Sequence, residues 1–294
     1  MSPSDWLLLL VLSSFWGSSY FFIELLIVEL PTLTIVAGRL LMAAIALTLF
    51  MVLRGQSLAV IASNAVPFAI CGTLNCALPF ALIVWGQGTV SAGLAGILNA
   101  MTPVFTALLA TCFLVDEKLT TTKAIGIGIT LSGVSLLVWP SVSNDADKTL
   151  PIIAVVGAAL SYATAAVYSR RFALMGIPPI TVATGQLIGG ALIMVPIAIT
   201  IEQPQHLSIP SPMILLVWAC IALVNTALAY VVYFKLIASA GATNATLVTM
   251  LVPVWAVSLG AVFLGERLLN IQFLGMAVIG FGLLVLDRRL KLFS

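Results

Sequence analysis

Few side chains in this sequence could do chemistry, and most of those that could lie inside long apolar runs. Ser13, Trp16, Tyr20 and Glu24 recur every three or four residues, which puts them on one face of a helix. The two rings suit an apolar or aromatic ligand, and the Glu24 carboxylate suits an ammonium group or a proton. The alternative is an aromatic belt with Glu24 at a water boundary. Arg39 can clamp a carboxylate or phosphate through its planar guanidinium. It can equally form a buried structural pair, with Glu24 as a candidate partner, or cap neighbouring carbonyls. Asn75 and Asn225 either bind a ligand's amino or carboxylate group or bond neighbouring helices to one another. Asn99 and Thr102, with Thr249, sit beside Pro103 and Pro253. A proline frees a carbonyl one turn earlier and kinks its helix, so the two prolines are read as hinges in preference to sources of carbonyl ligands. Trp85, Tyr162, Tyr230 and Tyr233 add aromatic surface for stacking and cation–π contacts, or simply pack.

Other chemistries lack their parts. The four cysteines, Cys71, Cys76, Cys112 and Cys220, lie in apolar runs and suggest no disulfide framework. The single histidine, His206, stands in a polar loop, so no Cys/His spacing fits a metal. No phosphate-binding Gly-x-x-x-x-Gly-Lys-[Ser/Thr] run is present, and no Ser/His or paired-Asp arrangement falls within the apolar runs. Neither charged rings nor a carbonyl filter, which would suggest a channel, can be read. No cofactor, no metal and no nucleic-acid partner is expected, and a monomer is.

The elements that position these residues are membrane helices. The chain has 294 residues, 62% hydrophobic and 7% charged, with mean hydropathy +1.21. Soluble domains carry about 25% charged residues. About 20 apolar residues cross a bilayer as a helix, and ten such runs are legible, at 6–27, 32–53, 66–87, 92–115, 123–139, 150–168, 180–200, 213–237, 242–264 and 272–286. The first lacks the basic flank of a signal peptide. No stretch suffices for a soluble domain, so residues 1–294 are expected to form one multi-pass membrane domain. With the N-terminus inside, Arg54, Lys118, Lys123, Arg170, Arg171, Lys235, Arg288, Arg289 and Lys291 fall on the inner side and only Lys148 and Arg267 on the outer. Both termini are therefore expected in the cytoplasm.

The chain also repeats itself at an offset near 149: Pro31, Thr34, Gly38 and Leu40 match Pro178, Thr181, Gly185 and Leu187, and Asn75 matches Asn225. Pro103-Val104 matches Pro253-Val254, Glu117 matches Glu266, Gly126 matches Gly275, and Gly133 matches Gly282. Five runs per copy is an odd number, so the second copy, 148–294, enters the membrane inverted relative to the first, 1–147. Inverted repeats can exchange conformations and are common in secondary transporters.

Ser91-Ala92-Gly93, Thr102-Pro103-Val104-Phe105 and Val115-Asp116-Glu117-Lys118-Leu119 resemble the signature of the EamA family of the drug/metabolite transporter superfamily. So do Ser239-Ala240-Gly241, Val252-Pro253-Val254 and Leu264-Gly265-Glu266-Arg267-Leu268. The first copy departs at Val115-Asp116, where Leu-Gly is usual. The resemblance implies an all-α fold of ten helices in two inverted sets of five, and metabolite export through a central cavity lined by spans 1, 3, 4, 6, 8 and 9. Within the family the chain is similar to YddG-type amino-acid exporters. This makes Ser13, Trp16, Tyr20, Glu24, Asn75, Trp85, Asn99, Tyr162, Asn225, Tyr230 and Thr249 candidate substrate ligands. It favours a structural Arg39, because the second span is not implied in the cavity. The expected activity is export of neutral or aromatic amino acids across an inner membrane, or of drugs and organic cations. Glu24 is the one serious proton carrier, so facilitated export is preferred to proton coupling.

Overall fold

The computed structural model describes residues 1–114, 118–144 and 146–286, and among these it contains helices and turns and no strand. Helices α1 (Pro3–Leu26) and α2 (Thr32–Leu53) run uninterrupted. After the short α3 (Ala59–Ser63), α4 (Ala65–Gly72) passes through a π-helical segment, Thr73–Ala77, into α5 (Leu78–Gln87). A break at Ala100 and Met101 divides α6 (Ala92–Asn99) from α7 (Thr102–Phe113). Then come α8 (Thr121–Asn144), α9 (Thr149–Leu174) and α10 (Pro179–Ile201). Next, α11 (Pro212–Ala222) passes through a second π-helical segment, Leu223–Leu228, into α12 (Ala229–Ala240). A second break, at Thr246 and Leu247, divides α13 (Ala242–Ala245) from α14 (Val248–Phe263), and α15 (Asn270–Leu286) ends the described chain.

Local sequence explains the ends. Ser2 and Asp5 form a capping box at α1, and the hydroxyls of Ser91 and Ser211 cap α6 and α11. Gly241 closes α12 at φ 84°, a conformation an L side chain resists. Among the described residues, eight helical stretches are long and apolar enough to cross a bilayer, while Val248–Phe263 and Asn270–Leu286 are shorter. Leu41, Ile45, Leu49 and Leu192 are exposed along α2 and α10, as lipid-facing residues must be. The protein is an all-helical, multi-pass membrane protein. Glu117, Arg288, Arg289 and Lys291 lie outside the described residues.

Small residues bring the helices together. Gly38 on α2 lies against the Trp218 ring of α11, and Gly185 on α10 lies against the Phe68 ring of α4. Gly38 and Gly185 are 147 residues apart and Phe68 and Trp218 are 150 apart, so the two contacts occupy matching places in the two halves. Gly189 completes the α4–α10 approach against Phe68 and Ala69. Helices α8 and α15 meet backbone to backbone. A Cβ on Gly133 would stand 2.7 Å from the Ile279 nitrogen, and one on Gly126 2.7 Å from that of Leu286. Gly133→Leu is therefore expected to lower the melting temperature in detergent, at a cost of about 1–3 kcal/mol or more from overpacking. Gly128→Leu, which meets nothing within 4 Å, should leave it unchanged.

The first break has a proline at its edge, since Pro103 is the second residue of α7. Pro253 lies inside the unbroken α14, downstream of the second break. Around these breaks the bundle is tight at one end. Gly96 of α6 has no room for a methyl group against Ala256 of α14, whereas α7 packs chiefly on α9.

Candidate functional site

Arg39 is the centre of the site. It lies seven residues into α2, about 10 Å along the helix at 1.5 Å per residue, and is only 6% exposed. Its guanidinium carbon stands 3.9 Å from the centroid of the Phe80 ring on α5, and its Nε donates to Thr226 Oγ1 at 2.8 Å. Thr226 belongs to the second π-helical segment, and its hydroxyl donates to the Ile221 carbonyl at 2.8 Å, which fixes the lone pair that Arg39 meets. Tyr20, Tyr162, Tyr230 and Cys76 are the guanidinium's electrostatic neighbours. Among the described residues it forms no salt bridge. A desolvated cation–π contact offsets about 2 kcal/mol, less than the several kcal/mol that burying an ion costs.

Rings and amides surround this cation. Trp16 of α1 meets Tyr230 at 6.4 Å and Tyr233 at 5.4 Å, and Phe80 meets Tyr162 of α9 at 6.4 Å. Asn75, in the first π-helical segment, donates to Gln186 Oε1 at 2.9 Å and approaches the Tyr230 hydroxyl at 3.5 Å. Gln186 is 147 residues from Arg39, so matching positions in the two halves carry an amide and a cation. Tyr20 is buried and neighbours Asn99, whose Oδ1 is buried with no hydrogen-bond partner. Both asparagines of the repeat fall in π-helical segments, which are frequent at functional sites. Trp16, Tyr20, Asn75, Asn99, Tyr162 and Tyr230 thus gather around Arg39.

Other candidates lie elsewhere. Ser13 accepts from Trp255 Nε1 at 3.0 Å and ties α1 to α14. Asn225 is 1% exposed and donates to the Phe15 carbonyl and to Ser18 Oγ, so its amide is spent on α1. Thr249 donates to the Thr246 carbonyl beside the second break. Trp85 is 46% exposed and lines a pocket with Ile27, Pro31 and Pro151. Glu24 takes a hydrogen bond of 2.9 Å from Gln87 Nε2, so Gln87 and not Arg39 is its partner. An apolar groove between α2 and α10, lined by Leu41, Ile45, Leu49 and Leu192, has only Thr48 as a polar side chain and lies apart from these groups.

Sequence reasoning did not single out Phe80, Thr226 or Gln87 as site residues. Nor did it find the capping role of the carboxylates at one end of the bundle. Glu202 accepts from the backbone nitrogens of Leu33 and Thr34 at 2.8 and 2.6 Å, at the start of α2. Glu29 accepts from the Ser211 nitrogen at 2.8 Å, before α11. Glu266 accepts from the nitrogens of Ala92 and Gly93 at 2.7 and 3.0 Å, at the start of α6. Each satisfies orphan N–H groups at a positive helix end. Among the described residues no group of three or more His, Cys, Asp or Glu could hold a metal ion.

The model of the EamA-like transporter family matches the chain twice, over residues 5–139 and 149–286. The chain belongs to this family. It is a membrane transporter and not an enzyme. It is 29% identical over 276 residues to the "Uncharacterized inner membrane transporter YedA" of Escherichia coli K12, covering 92% of this chain and 86% of that one. To the "Probable amino-acid metabolite efflux pump" of the same organism it is 25% identical over 304 residues, covering 97% and 95%. A crystal structure at 17% identity superposes with a TM-score of 0.71 over 100% of both chains, a likeness of fold.

Proposed function

We propose that this EamA-family transporter exports amino acids, aromatic or otherwise neutral, by alternating access between two inverted five-helix repeats, 1–147 and 148–294. The observation that carries this is the group around Arg39, where a buried cation and aromatic rings come from both halves: Arg39, Phe80 and Trp16 from the first, Thr226 and Tyr230 from the second. A cation and a ring wall suit a zwitterion with an apolar body. A full-length relative named as an amino-acid metabolite efflux pump supports the same reading. Export of organic cations is disfavoured, because they would enter beside an uncompensated guanidinium.

In this reading the chain is a monomer of the inner membrane with both termini in the cytoplasm, and the end bearing Glu29, Glu202 and Glu266 faces outward. That end is closed by the packing of α6 on α14, where Gly96 meets Ala256. The cargo's own gradient drives export. In cells overproducing the chain, a panel of amino acids, nucleosides and quaternary amines should show accelerated efflux of aromatic or other neutral amino acids. Efflux of quaternary amines alone would sink the proposal.

A further inference from the structure

We propose that Arg39 is the anion anchor of the transport site, and that the cargo is held through a carboxylate beside an aromatic or apolar body. The inference deepens the reading above and rests on it only in taking this group for the transport site. Arg39 is 94% withdrawn from solvent, by its 6% exposure, yet only one of its five N–H donors has a hydrogen-bond partner among the described residues. That one, Nε, is held by Thr226, and the guanidinium lies over Phe80. The donors left over are those on Nη1 and Nη2, which belong to the fork that receives a carboxylate bidentately.

Among the described residues, five carboxylates are engaged elsewhere. Asp5 takes Ser239, Glu24 takes Gln87, Glu29 takes Ser211, Glu202 takes Leu33 and Thr34, and Glu266 takes Ala92 and Gly93. Nor is the site closed by symmetry: Gln186, the matching residue, is neutral and spends its oxygen on Asn75 and Cys71. Tyr20 neighbours both Arg39 and Asn99, and the unpartnered Asn99 Oδ1 is a buried acceptor available to an ammonium group. A structural Arg39 would have its fork filled by the fold. Here it waits for a ligand.

The test is binding to purified full-length protein in detergent, read as thermal stabilisation by phenylalanine, phenylalaninamide, phenethylamine and phenylacetate. Wild type should prefer phenylalanine to its amide by about 30-fold or more, the penalty for truncating one partner of a buried charge pair. The preference should collapse toward one in Arg39→Gln and survive in part in Arg39→Lys. An unchanged preference in Arg39→Gln overturns the anchor. If Arg39→Gln does not fold, equal wild-type binding of phenylalanine and its amide overturns it. Binding of phenylacetate but not phenylalanine, lost in the variants, supports the anchor and sinks the amino-acid reading. Saturable export of cargo without an anionic group overturns the anchor and leaves the chain an exporter.

Discussion

Deleting Val224 from the π-helical segment Leu223–Leu228 is expected to abolish transport while leaving membrane insertion intact. A π-helical turn holds one residue more than the α-helix it interrupts. Removing that residue restores the regular helix: the flanking turns keep their facing, and the residues of the segment itself change theirs. Thr226 then leaves Arg39 Nε, and Asn225 leaves Phe15 and Ser18. The hydropathy that directs insertion barely changes. Surface expression at wild-type level with flux at background is the expected outcome. Wild-type flux would show that the segment does not set the site.

The second large effect is at the capped end of the bundle. Glu266→Gln should make that end open more readily. The carboxylate accepts two backbone N–H groups at the start of α6, and a Cβ on either Gly93 or Gly260 would press on it. A glutamine offers one oxygen, so one N–H loses its acceptor. A charge-assisted hydrogen bond is worth about 1.5–3 kcal/mol, which makes a roughly tenfold or larger shift in the balance between closed and open. Val90, buried at 2% exposure just before α6, reports it. In a Val90→Cys background, an impermeant maleimide should label Glu266→Gln about tenfold faster or more than the parent. Equal labelling would mean that Glu266 only caps a helix.

Much of the fold was legible because hydropathy and length determine membrane helices directly. Each of the ten apolar runs is mainly helical where it is described, with breaks at Ala100 and Met101 and at Thr246 and Leu247, and the matched glycines of 126, 133, 275 and 282 meet across α8 and α15. The site was legible in its residue types and not in its partnerships. Nothing in sequence marks a π-helical segment, since one extra residue leaves no trace in hydropathy, and yet Asn75 and Thr226 owe their positions to such segments. Glu24 as a partner for Arg39 was reasonable by charge. Gln87, an uncharged residue on α5, takes that carboxylate instead. Trp85 fell on the outside because an aromatic residue in a membrane helix reads alike on either face. Glu266 was noticed as a motif residue, but its grip on Ala92 and Gly93 spans more than 170 residues of chain.

The central claim is that one site between two halves faces each side of the membrane in turn. Counterflow in proteoliposomes tests it most directly. Vesicles loaded with unlabelled aromatic amino acid and diluted into trace label should accumulate the label transiently, with saturable uptake that requires the unlabelled cargo inside. Uptake that neither saturates nor depends on the internal cargo would contradict the account.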